Sequence, residues 1–64
     1  MNSLDKRKLQ VLSYVKRIKN PLKRDYALDY YNFSFYGGQR PERPSGLSYL
    51  AAQAVRLVID DPEL

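Results

Sequence analysis

Apolar residues recur at helical spacing in three stretches of this chain, and the spacing predicts three helices. Between residues 3 and 19, Leu4, Val11, Tyr14, Val15 and Ile18 fall on one face at 100° per residue, with Leu12 at its margin. Lys6, Gln10, Ser13, Lys16 and Arg17 face away, and Leu9 sits among them as an exposed leucine. Asn2 or Ser3 supplies an N-cap. Asp5 lies in the first turn and Lys16, Arg17 and Lys19 in the last, the charges that suit the helix macrodipole at each end. Asn20-Pro21 stops this helix and opens the next, with Pro21 at a first position where its missing amide has no helical partner. Lys23 and Arg24 in that first turn argue mildly against such a start.

The second helix is predicted over residues 21–34. Leu22, Tyr26, Tyr30 and Phe33 make one apolar stripe, and Ala27, Leu28, Tyr31 and Phe35 make another; only Asp25, Asp29 and Asn32 form a polar strip. Six of the eight aromatic residues lie between Tyr26 and Tyr36. A helix apolar on nearly all sides is either enclosed by its own domain or shared with another chain. Two further helices are expected to leave it partly uncovered in so short a protein, which predicts self-association or a protein partner. A competing reading makes 30–36 a strand, because its aromatics favour extended structure and Asn32 and Ser34 alternate with Tyr31, Phe33 and Phe35. That strand would need a mate from another copy, since no second strand pattern occurs.

Residues 37–45 read as a loop. Gly37 and Gly38 permit turns, and Pro41 and Pro44 push Arg40 and Arg43 toward extended geometry. Ser45 then caps a helix over residues 46–60, ended by Pro62. Leu47, Leu50, Ala51, Ala54, Val55, Leu57 and Val58 are its expected core face. Tyr49, Gln53, Arg56 and Asp60 lie opposite, flanked by Ser48, Ala52 and Ile59, and the alanines allow a close helix seam.

The fold class implied is a small all-α domain of three helices, within the single domain that 64 residues allow. With neither cysteine nor histidine in the chain, disulfides, zinc fingers and iron–sulfur ligation are excluded, and no cofactor or metal is expected. Asp25 and Asp29 at i, i+4 are too few for a cation cage, and Gly37-Gly38 lacks the spacing of a phosphate loop, so catalysis is not expected. No membrane span or secretory signal is evident, which places the protein in the cytoplasm.

Charge changes the picture most. Residues 1–24 carry eight basic side chains against the single acid Asp5, whereas residues 25–64 carry three arginines against six acids. The basic front suggests a regulatory protein that contacts nucleic acid through Lys6, Lys16, Arg17, Lys19, Lys23 and Arg24. A helix-turn-helix reader using Ser48, Tyr49, Gln53 and Arg56 is a variant of this reading. The alternative is a protein-binding inhibitor or adaptor with no nucleic-acid role, whose anchors are Tyr30, Tyr31, Phe35, Tyr36, Arg40 and Arg43.

Overall fold

A computed structural model of the chain describes residues 3–63. Among these it shows three α-helices and no strand: α1 Ser3–Arg17, α2 Pro21–Tyr36 and α3 Tyr49–Asp60. The Asn2 cap lies outside the described residues. Val11 and Val15, one turn apart, are the buried residues of α1, with Leu12, Tyr14 and Ile18 partly buried beside them. Leu9 is exposed as its position implies, but Leu4, on the predicted core face, is also 53% exposed, because it lies two turns before Val11, near the start of the helix.

α2 starts at Pro21 despite the unfavourable cations of its first turn. Asn20 offsets them, its side-chain oxygen accepting the Lys23 amide at 3.0 Å. The helix runs on to Gly37, whose φ of 84° suits a residue without a side chain and whose amide donates to the Phe33 carbonyl. Residues 30–36 are therefore helical, and the strand reading is excluded. Helical spacing brings Tyr31 to 5.3 Å from Phe35, and Tyr30 to 5.9 Å from Phe33, between ring centroids; a strand would alternate neighbouring rings between opposite faces.

α3 begins three residues later than the sequence suggests. Leu47 donates its amide to the Pro44 carbonyl, so Ser45 and Gly46 form the middle of a turn rather than a helix start. Ser48 is the cap, accepting the Ala51 amide at 3.1 Å. Gly46 lies against Leu22; a β-carbon there would stand 2.9 Å from a leucine methyl.

The contacts fix the direction of each helix. Arg24 reaches the Ile18 carbonyl at one end of the α1–α2 hairpin, and Arg7 lies over Phe35 at the other, so these helices are antiparallel. Tyr26 bonds to Arg56 and Tyr30 to Asp60, so α2 and α3 run the same way. Such parallel neighbours require a connection that returns along the full length of α2, about 24 Å at 1.5 Å per residue. Residues 37–48 span it because the two Arg-Pro pairs keep them extended.

That returning loop is the wall missing from the sequence reading. α2 lies between α1 and α3, while the loop crosses it beside Asp29, Asn32 and Phe33 with Pro41 and Pro44 half-buried. Tyr26, Tyr30 and Tyr31 are consequently only 3–6% exposed within one chain. The expectation that a single copy leaves these rings uncovered is corrected on this point, and the ring surplus gives no reason for a partner.

The face of α3 is also corrected. Ala52, Val55 and Ile59 are fully buried, while Leu50, Ala54 and Leu57, expected inside, are exposed. The tyrosine hydroxyls of α2 explain the rotation. Arg56 and Asp60, one turn apart, must reach Tyr26 and Tyr30, likewise one turn apart, and this carries Leu50 and Leu57 to the outside.

Candidate nucleic-acid interface

Five of the six cations expected to meet nucleic acid are gathered at one corner. α1 ends at Arg17, two residues before the predicted end, so Lys16 and Arg17 close the helix and Lys19 lies in the connection to α2. Lys23 and Arg24 lie in the first turn of α2, and no acid occurs between residues 16 and 24. The tight turn at Asn20-Pro21 brings the two sets together. Lys16, Arg17, Lys19 and Arg24 are exposed and Lys23 is half-buried. Arg24 also donates to the Ile18 carbonyl at 3.3 Å, which ties its guanidinium across the turn. The amino end of α2 adds its partial positive charge to the same corner.

Lys6 does not belong to this surface. It lies ten residues along α1 from Lys16, about 15 Å at the helical rise, and borders a shallow hollow with Pro62 and Glu63 at the acidic end of the molecule. Two other basic residues are engaged internally. Arg7 donates to the Ile59 carbonyl at 2.7 Å and stacks over Phe35, and the Lys8 ammonium stands 4.5 Å from the centre of the Tyr36 ring. The signal for this was present in the sequence, since Arg7 precedes Val11 by one helical turn and shares its side of α1.

The recognition-helix arrangement is not formed. Ser48 is used as a cap. Gln53 is half-buried, and Arg56 is drawn against Tyr26, its N–H donating to the hydroxyl at 3.0 Å, with the Tyr49 ring 5.9 Å away. The bond to Tyr26 raises the affinity of Arg56 for its proton further above an already high value.

The proposed protein-binding anchors divide in the same way. Tyr30 and Tyr31 are corrected from surface to core, as buried rings cannot present themselves to another protein. Phe35 is half-buried beneath Arg7. Arg43 serves as a strut inside its own loop, donating to the Leu47 carbonyl at 2.6 Å. Tyr36 and Arg40 remain exposed. Among the described residues, no three metal-ligating side chains converge and no helix is long and apolar enough to cross a membrane.

The buried phenols give the fold a pH limit. Burial raises the pKa of Tyr30, Tyr31 and Tyr14 above the ordinary value near 10; Tyr30 is raised further by its bond to the Asp60 carboxylate, 2.8 Å away. Because the folded values exceed the unfolded ones, this stability is complete below pH 10 and is lost as pH rises through the folded values. The urea midpoint is expected to stay constant from neutral pH to about 9 and to fall above about 10. A midpoint that does not fall between about pH 10 and pH 12 would contradict this placement of the rings.

Comparisons of the chain with protein-family models, curated proteins and solved structures gave no significant match. The functional reading therefore rests on the geometry and charge of the corner.

Proposed function

We propose that this protein is a small non-enzymatic regulator that holds nucleic acid by its phosphate backbone at the α1–α2 corner. One observation carries the reading: Lys16, Arg17, Lys19, Lys23 and Arg24 crowd a single turn, while Asp60, Asp61 and Glu63 lie at the opposite end. This polarity orients the molecule in the field of a polyanion and brings the cationic turn forward.

The corner contacts phosphates and not bases. Of the rings nearest it, Tyr14 is half-buried and Tyr26 buried, and Tyr49, exposed at the start of α3, has the Arg56 guanidinium 5.9 Å from its ring centre. Arg24 is held to the Ile18 carbonyl and Arg56 to the Tyr26 hydroxyl, so neither guanidinium is set to read a base edge in bidentate fashion. Binding independent of sequence is the result. A fluorescence-anisotropy titration of generic duplex DNA across a salt series tests it. Five phosphate contacts give a slope of log K against log salt of about −4.5, and four give about −3.6. Binding that ignores salt, or that follows base sequence at constant length, would remove the proposal.

A further inference from the structure

The outward side of α3 is an apolar stripe that nothing among the described residues covers. Leu50 is 74% exposed and Leu57 is 64% exposed, with Ala54 exposed between them. Their i, i+4, i+7 spacing puts all three opposite the buried Ala52, Val55 and Ile59. We propose that the same stripe of a second copy covers it, the two α3 helices crossing antiparallel about a two-fold axis at Ala54.

Charge selects both the occupant and the direction. α3 ends in the exposed acids Asp60 and Asp61, followed by Glu63. Its beginning carries the partial positive charge of a helix amino end, with the Arg43 guanidinium bonded to the Leu47 carbonyl just before it. Asp61 and Leu47 lie equally far from Ala54 in the chain, seven residues on either side. Antiparallel pairing therefore sets the acidic end of each copy on the cationic beginning of the other, twice over. Parallel pairing would set Asp61 against itself.

The rest of the surface disfavours other arrangements. Two chains of net charge +4 repel wherever their basic corners approach, whereas the one basic residue of α3, Arg56, is turned toward Tyr26. A lipid surface would call for lysines or arginines flanking the apolar stripe, and α3 has none there. Ala54 lets the two backbones come close, and Leu50 and Leu57 fill the space on either side. A patch of a few hundred Å² per copy is smaller than the roughly 800 Å² of a standard interface. The pair is accordingly weak, with a Kd on the order of 10–100 μM. Since α3 begins near Gly46 and Leu22, at the basic end, the two corners point to opposite ends of the pair.

Sedimentation equilibrium from low micromolar to near-millimolar concentration tests this. The mass is expected to rise from the 7.5 kDa of one chain toward twice that value. The double variant L50Q/L57Q should keep its helicity and raise the Kd about tenfold or more. D61K should weaken association roughly two- to fivefold. Because the chain has no cysteine, A54C should oxidise to a covalent dimer under conditions that leave S34C, on the exposed side of α2, monomeric. A chain that stays monomeric throughout, association untouched by L50Q/L57Q, or association strengthened by D61K would each overturn the proposal.

Discussion

Replacing Ile59 by Ala is expected to remove about half or more of the protein's stability at 25 °C. Ile59 is fully buried, and truncating such a residue costs about 2–5 kcal/mol through lost burial and the cavity left behind. A domain of this length rarely has more than roughly 3–5 kcal/mol to lose. Ile59 also presents its carbonyl to Arg7, so a collapse around the cavity disturbs a hydrogen bond that ties α1 to α3. Leu57→Ala, two residues away on the outward side, should change stability by less than about 0.5 kcal/mol when measured at low micromolar concentration. Urea denaturation of the two variants checks the rotation of α3. Equal costs, or a larger cost at Leu57, would mean that the helix faces the way its hydrophobic pattern alone suggests.

That contrast shows where the sequence was legible. α1 has dipole-matched charges at both ends and α2 a capping Asn20 with a proline at its first position, and their positions follow from those local features. The all-α class also follows, because each apolar stretch repeats at helical spacing. The start of α3 was less legible, since Ser45 and Ser48 both precede an apolar run and only the Pro44–Leu47 turn decides between them. Its orientation was hidden for a different reason. The hydrophobic pattern of α3 centres on Ala51 and Val58 and favours the Leu50–Leu57 flank. The side actually buried, Ala52, Val55 and Ile59, goes with the bonds from Arg56 to Tyr26 and from Tyr30 to Asp60, each joining residues thirty positions apart. The closure of α2 was hidden because the covering element is a loop, whose contribution periodicity does not register.

The candidate site was legible in part. Lys16, Arg17, Lys19, Lys23 and Arg24 are adjacent in sequence and remain adjacent in the fold, as a hairpin turn dictates. Lys6 shares only their charge, and the length of α1 separates it from them. Counting helices alone leaves Tyr30 and Tyr31 to a partner, whereas the chain buries both rings by itself.

The triple variant K16Q/R17Q/K19Q is expected to lose roughly 10²- to 10³-fold in affinity for duplex DNA at 50 mM salt. It should also flatten the salt slope by about 2.7, at 0.9 per phosphate contact removed. All three side chains are exposed, and glutamine forms helix about as readily as lysine or arginine, so the fold should be unchanged. Lys6→Gln, at the acidic end, should shift affinity less than about twofold. An unchanged slope in the triple variant would show that the phosphates lie elsewhere, and a loss at Lys6 equal to that at Lys19 would mean that no single corner acts.

The account depends most on one chain closing its own aromatic core, and nuclear polarisation of tyrosine rings by a light-excited dye tests this directly, because only rings open to solvent respond. At low micromolar concentration, Tyr36 and Tyr49, each more than 60% exposed, should give signals, and Tyr26, Tyr30 and Tyr31 should give none. Signals from Tyr30 or Tyr31 that are present in dilute solution and vanish on concentration would show instead that a second copy completes the core.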